Sequence, residues 1–304
     1  MEKPYRTLDR SFMESVIWAF VEAHKKGYIY KDFRVAPYCC RCETSLSLSE
    51  IRSDDSTRPK QSRAITVKFA LQGMEGVSAL AWTTTPWTLP SNLALAVGKE
   101  IQYVVVDSAI GKVLLAERAL KRYERELGKN PAVLSRMTGA ELEEKTLRYD
   151  PLFPYFKDDK AFYLISAEFV STEDGTGIVH MAPAFGEDDY WGCRKYGIEV
   201  RNPVDTSGCF TREVSDFVGQ NVHEANPAII KMLKERGVVL RDETIEHNYP
   251  HCWRCRNPLI YRAQDAWYFK VEAIRDRLIQ TNQEIEWYPD TVKHGRFGNW
   301  LENA

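Results

Sequence analysis

The stretch Ser78-Ala-Leu-Ala-Trp-Thr-Thr-Thr-Pro-Trp-Thr-Leu-Pro-Ser-Asn-Leu-Ala-Leu-Ala-Val97 holds two short apolar runs, parted by threonines and two prolines. Each run has the length of a strand, and Pro86 and Pro90 stop the first one because proline cannot donate to a ladder. Working outward, Ala64 to Leu71, Gln102 to Asp107, Ala161 to Val170 and Gly177 to Met181 are similar short runs with β-branched and aromatic residues, and they predict further strands of one sheet or barrel. Between them lie helical segments at Glu117 to Glu126, Gly139 to Thr146, Glu187 to Lys195 and His223 to Arg236, the last closed by Gly237. Short strands mixed with helices predict an α+β fold with a β-barrel-like body and surrounding helices, rather than a doubly wound sheet.

The flanks read differently. From Arg10 to Lys26 the residues Phe12, Val16, Ile17, Phe20 and Val21 recur at helical spacing, and Tyr28 to Tyr38 reads as strand. A polar run from Ser49 to Ser62 has nothing to bury, which predicts a boundary there. After His247 the character changes again, with a strand from Tyr261 to Val271 and a helix from Val271 to Thr281. The expected organisation is a stem over 1–56, a body over 57–246 and a second stem over 247–304. The chain has 304 residues, 44% hydrophobic and 28% charged, which is the profile of a globular protein. A net charge of −2 excludes a uniformly basic nucleic-acid-binding surface but leaves a local basic patch open. No stretch approaches the roughly 18–20 uncharged apolar residues a bilayer crossing needs, and the N-terminus lacks a signal-peptide core, so a cytoplasmic protein with no membrane partner is expected.

Seven cysteines fall mostly into two tight groups, which argues against a secreted disulfide framework. Cys39-Cys40-Arg41-Cys42 and Cys252-Trp253-Arg254-Cys255 each supply the C-x-x-C spacing at which one turn aims two thiolates at a single tetrahedral zinc. Between Cys42 and Cys252 lie 209 residues, far beyond the roughly 15–20 of a compact zinc ribbon. A whole domain is therefore expected inside the loop, with a closed and structural zinc at its base. Cys40 reads as a spectator, and Cys193 and Cys209 as ordinary core residues; two unrelated cysteine clusters or a redox pair are the competing readings.

Two further segments carry chemistry. In Trp82-Thr-Thr-Thr-Pro-Trp-Thr-Leu-Pro-Ser-Asn92 three adjacent hydroxyls precede a proline-broken turn, where hydroxyls and freed N–H groups can face a ligand. An edge strand with solvated threonines accounts for the same residues. Asp174 to Tyr190 contains a glycine-rich strand ending near His180, a proline turn and then Glu187-Asp188-Asp189. Acidic residues in a first helical turn are expected from the helix dipole alone, and His180 also fits a satisfied core histidine.

Taken together, Trp82 to Asn92, Gly175-Thr-Gly-Ile-Val-His180, Asp188-Asp189-Tyr190, both cysteine pairs and Gly295-Arg-Phe-Gly-Asn-Trp-Leu-Glu-Asn303 resemble the isoleucyl-tRNA synthetase family in order and along essentially the whole chain. Valyl and leucyl relatives carry Thr-Thr-Arg-Pro at the place of the Trp82 to Asn92 motif, so Thr85-Pro86-Trp87 favours the isoleucine type. The resemblance implies an editing domain that hydrolyses Val-tRNA(Ile), as ester or as valyl-adenylate, on a zinc-ribbon stem. One methylene separates the two amino acids and limits binding discrimination to roughly 1–3 kcal/mol, a limit for which these synthetases are themselves the general example. By the same resemblance Asp189 would hold the substrate α-ammonium, and Thr83, Thr84 and Thr85 would contact the terminal adenosine and position water. Trp82, Trp87 and Thr88 would line the substrate, and His180 would narrow the pocket against isoleucine. Cys39, Cys42, Cys252 and Cys255 would hold structural Zn2+. The implied partners are the aminoacylated 3′ end of tRNA(Ile), its valine moiety and the rest of a synthetase chain. The family's His-Ile-Gly-His and Lys-Met-Ser-Lys-Ser motifs are absent, so amino-acid activation, with its ATP and Mg2+, is expected only in a parent enzyme. A noncatalytic, zinc-stabilised tRNA-binding module is the alternative.

Overall fold

A computed structural model describes residues 5–52, 56–156 and 160–303. In chain order the elements begin with α1 (Arg10–Lys25), β1 (Ile29–Cys39), β2 (Thr44–Ser45), α2 (Leu48–Ile51), β3 (Thr57–Ala70) and β4 (Val77–Thr83). A tight 3-10 turn over Pro86–Ser91 leads to β5 (Ala94–Val97), β6 (Gln102–Ser108), β7 (Gly111–Ala116), α3 (Glu124–Leu127), β8 (Ala132–Thr138), α4 (Gly139–Glu144), β9 (Tyr163–Ser166) and β10 (Ile178–Met181). Then follow α5 (Glu187–Lys195), α6 (Val222–Glu235), β11 (Val239–Pro250), β12 (Ile260–Phe269), α7 (Arg275–Asn282), α8 (Thr291–His294) and α9 (Arg296–Asn303).

The chain divides into two compact units, Val35–Gln264 and Met1–Arg34 with Asp265–Ala304. In the larger unit a mixed sheet of six strands, among the described residues, runs in the order β11-β3-β4-β7-β6-β8. A second sheet has β5 at its centre, parallel to β9 and antiparallel to β10. The α+β expectation holds, whereas the barrel does not: β11 and β8 are open edges of the large sheet. The physical reason lies in the two prolines. Pro86 and Pro90 force the chain out of the sheet after β4, so β5 starts a separate sheet instead of pairing beside it. All four residues of β5 are buried, as befits a central strand covered on both faces.

The core of this unit is apolar and continuous across both sheets. Three fully buried tyrosines within it each find a partner for the hydroxyl. Tyr103 accepts from the Gly98 N–H at 2.9 Å and donates to the Gly177 carbonyl at 2.6 Å, tying the ends of β5 and β10 together. Tyr123 shares a 2.8 Å bond with Thr66, and Tyr149 donates to Asn92 at 2.7 Å. Burying a tyrosine is favourable only when its polar tip is satisfied in this way.

The polar run at 49–62, whose residues 53–55 lie outside those described, differs from the sequence reading. From Thr57 it is strand: β3 pairs antiparallel with β11 from Thr57↔Pro250 onward. A ladder satisfies backbone groups without needing apolar side chains, so this half of the ribbon forms with little burial. Cys193 is buried as expected, but Cys209 is only half-buried and is not a core residue. The smaller unit has α1, none of whose residues is buried, and aromatic contacts such as Tyr30 stacked on Tyr268 at 5.4 Å.

Candidate functional site

Asp189, His180 and the threonines converge on one cavity of about 470 Å³. One wall is Trp82, Thr83, Thr84, Thr85 and Thr88; the loop 171–177 forms another, and His180, Phe185, Gly186 and Asp189 complete it. The threonines are not solvated. β7 pairs with β4 only over Val77 to Ala79, so the threonine end is held by β3 alone, yet Thr83 is buried and Thr84 and Thr85 are half-buried where the strand gives out. The Thr85 N–H donates to Thr83 Oγ1 at 3.1 Å, curling the backbone so that successive hydroxyls face the cavity. Trp82 donates its indole N–H to Glu243 at 3.3 Å. Gly175, at φ +62°, lies flat against the Trp82 ring, where a Cβ would come within 3.2 Å of Trp82 Cβ. Trp87 is not among the lining residues. It is buried behind the wall, packed on Phe185 at 4.8 Å between ring centres, and so supports a residue that does line the cavity.

His180 sits on β10 with both ring nitrogens engaged. Nε2 is 2.9 Å from Thr88 Oγ1 and Nδ1 is 2.9 Å from Asn92 Nδ2. Burial drives its pKa down to about 3, so the ring is neutral at ordinary pH. Such a ring is a shaped wall rather than a proton carrier.

Asp189 stands in the first turn of α5, but it does not cap that helix. The N-cap is Gly186, with no side-chain cap, and the Asp189 carboxylate turns back to accept the Ala182 N–H at 2.7 Å. Burial raises its pKa to about 7, against the Ala182 hydrogen bond, with neighbouring Asp188 adding to the rise. A carboxylate held this way sits near half-ionised and is poised to gain from a cation. Gly186 makes room for it: a Cβ there would stand 2.8 Å from the Asp189 carboxyl carbon.

A second cavity of about 480 Å³ lies at the other end of α5. Three of its polar lining groups are already committed to one carboxylate: Glu143 accepts from Ser166 at 2.7 Å and from the Tyr196 hydroxyl, and pairs with Lys99 at 3.2 Å. The first cavity, with a row of threonine hydroxyls facing a carboxyl group, has more to offer a ligand.

At the base of the larger unit Cys39, Cys42, Cys252 and Cys255 bring their sulfurs within 4.8 Å of one another. This set could hold a metal ion. Both turns end alike, with a left-handed residue after the second cysteine: Glu43 at φ 49° and Arg256 at φ 63°. Burial opposes ionisation of Cys255, yet the Asn257 backbone and the neighbouring thiols draw it down to about 7. Leu46 and Leu259 are the only other fully buried members of this small apolar cluster among the described residues, too little to hold it by packing alone. Four soft thiol donors with N–H support fit zinc in a closed tetrahedral site.

Asn92 and Tyr149, which hold His180, and Arg122, which holds the loop at the cavity mouth, escape a reading of the sequence. Asn92 falls inside a conspicuous segment, but nothing in composition singles out Tyr149 or Arg122.

An open mixed sheet carrying a hydroxyl-lined cavity, rooted on paired cysteine turns, defines the class: over residues 1–304 the chain matches the tRNA synthetases class I (I, L, M and V), and it belongs to that family. Within that class it is isoleucine–tRNA ligases that it resembles. It is 49% identical to the enzyme of Mycobacterium tuberculosis over 319 residues, covering 100% of this chain and 30% of that protein. It is 50% identical to that of Bdellovibrio bacteriovorus, covering 100% and 29%, and 46% identical to isoleucine–tRNA ligase 2 of Pseudomonas fluorescens, covering 99% and 28%. The chain thus spans about 30% of the length of the curated relatives it matches. Among solved structures, the Plasmodium knowlesi cytosolic leucyl-tRNA synthetase editing domain aligns with a TM-score of 0.46 and 12% identity, over 60% of this chain and 97% of that one.

Proposed function

We propose that this chain hydrolyses valine wrongly esterified to tRNA(Ile), and valyl-adenylate by the same chemistry. The observation that carries the reading is the placement of the Asp189 carboxyl and the Thr83, Thr84 and Thr85 hydroxyl row around one cavity whose further wall is the neutral His180 ring. The α-ammonium of the substrate donates to Asp189 and stabilises its ionised form. The threonine hydroxyls hold the terminal ribose and a water against the ester carbonyl, so rate comes from positioning rather than from a strong base. His180 sets the reach of the cavity and excludes the extra methylene of isoleucine. Residues 57–246 form the hydrolytic body in this reading, with the cysteine turns on either side holding one structural zinc. The apolar side of α1, where Ile17 and Trp18 are 63% and 66% exposed, offers a surface for the rest of a synthetase chain.

The test is deacylation. Val-tRNA(Ile) is hydrolysed faster than Ile-tRNA(Ile), and Asp189→Ala lowers the valine rate by about 100-fold, as expected for loss of a charge-assisted anchor worth roughly 3 kcal/mol. Equal rates for both substrates, or tRNA binding with no deacylation at all, would defeat the reading in favour of a noncatalytic module. His180→Ala opens the cavity and admits isoleucine; Ile-tRNA(Ile) left intact by that variant removes His180 from the role of size barrier.

A further inference from the structure

The polar groups behind His180 form a chain in which each donor has one assignment. Asn92 Nδ2 has two hydrogens and two acceptors, the Ala94 carbonyl at 2.9 Å and His180 Nδ1 at 2.9 Å. Asn92 Oδ1 accepts from the Tyr149 hydroxyl at 2.7 Å. Turning the amide over would set its oxygen against the Ala94 carbonyl, two acceptors in contact, and would cost Oδ1 the Tyr149 hydrogen, so the Ala94 end fixes the orientation and the phenol supports it. Nδ1 of His180 is then an acceptor and the ring hydrogen resides on Nε2. That N–H donates to Thr88 Oγ1 at 2.9 Å, and the Thr88 hydroxyl donates onward to the Thr85 carbonyl at 2.8 Å. The line runs in one direction from a buried phenol to the backbone of the threonine row.

We propose that Tyr149 is a positioning residue for this pocket, fixing His180 in its Nε2–H tautomer and in place through Asn92. Tyr149 is 1% exposed and does not line the cavity, so it acts only through its neighbours. The opposite tautomer would make Nε2 an acceptor and draw the Thr88 hydroxyl away from the Thr85 carbonyl. The ring would lose its directed bond and the threonine turn one of its two ties, since the Thr88 N–H would remain on that carbonyl at 3.0 Å. Buried polar chains of this kind specify one arrangement because an unsatisfied member is costly. The consequence for discrimination rests on the hydrolytic reading above, whereas the tautomer does not.

The experiment is long-range 1H–15N spectroscopy of the 15N-labelled chain at neutral pH, beside deacylation of Val-tRNA(Ile) and Ile-tRNA(Ile). The unmodified chain shows His180 with Nδ1 bare and Nε2 protonated, and an Nδ1–H pattern there overturns the proposal at once. Tyr149→Phe leaves Asn92 Oδ1 without its donor: His180 then shows mixed or averaged tautomers, and the valine-to-isoleucine rate ratio falls about tenfold. A folded Tyr149→Phe chain with unchanged ring signals and unchanged ratio overturns it too. Asn92→Asp, which can accept from Tyr149 but cannot donate to Nδ1, moves the hydrogen to Nδ1; an unmoved tautomer in that variant contradicts the mechanism even if Tyr149→Phe fails to fold. If the unmodified chain hydrolyses neither substrate, the hydrolytic reading falls while the ring signals still decide the tautomer.

Discussion

At Asp189 function and stability pull in opposite directions. Its folded pKa of about 7 lies above its ordinary value of 3.8, so the fold favours the protonated form. The stabilising contribution is complete below about pH 4 and disappears as pH rises through 7. Asp189→Asn keeps an acceptor for the Ala182 N–H and never ionises. It should raise the melting temperature at pH 8 by roughly 2–4 °C and leave it unchanged at pH 4, as read from thermal melts at the two pH values. An ammonium partner needs the ionised form, so the rate advantage of the unmodified chain over this variant on Val-tRNA(Ile) should grow from pH 6 to pH 8. A flat ratio across that range would separate Asp189 from substrate charge. The sequence displayed Asp189 within an acidic first turn, which the helix dipole alone accommodates. Only the turn back to Ala182, allowed by Gly186, distinguishes it from Glu187 and Asp188, which are exposed.

Among elements, the loop 171–177 is pinned from outside by one exposed side chain. Arg122 donates to the carbonyls of Gly175 at 2.6 Å, Thr172 at 3.5 Å and Glu173, holding the loop across the cavity mouth. Because Arg122 is on the surface, Arg122→Ala should change global stability by less than about 0.5 kcal/mol. Its effect should appear instead as a raised KM for aminoacyl-tRNA, several-fold by the usual worth of one or two charged hydrogen bonds, with faster amide exchange confined to the loop. Unaltered KM and exchange would show that the loop holds itself. β4, β5 and α5 were legible in the sequence because each buries a patterned face or ends at a proline or glycine. β11, Val-Leu-Arg-Asp-Glu-Thr-Ile-Glu-His-Asn-Tyr-Pro250, was not: its charges conceal a strand made by ladder hydrogen bonds to β3. The 3-10 turn at Pro86–Ser91 was foreseen as irregular, but its role as the reason the sheet stays open depends on where β5 pairs, which no local pattern encodes.

For the whole molecule, the paired cysteine turns matter most. With Leu46 and Leu259 as the only buried aliphatic support among the described residues, this end would gain most of its stability from a metal held by the four thiols. Metal analysis should find about one equivalent of zinc per chain, lost in a Cys39→Ser/Cys255→Ser double variant. Chelation should speed amide exchange around residues 39–46 and 252–259 and leave the large sheet protected. Full zinc content in the double variant would break the four-thiol assignment. The spacing of the cysteines made this convergence readable from the sequence alone. The open sheet was less accessible, since strand lengths suit a closed barrel and an open sheet equally well.

That convergence has a consequence for how large the body can become. Though 209 residues separate Cys42 from Cys252, their sulfurs and those of Cys39 and Cys255 meet within 4.8 Å. To the strands leading in and out, everything between behaves as a hairpin loop whose ends are already joined. Closure entropy grows only logarithmically, so doubling that loop would cost about 0.6 kcal/mol more. Insertions within the body, a tag or a second domain at an exposed turn, should therefore be felt locally and hardly at all by the polypeptide that carries it.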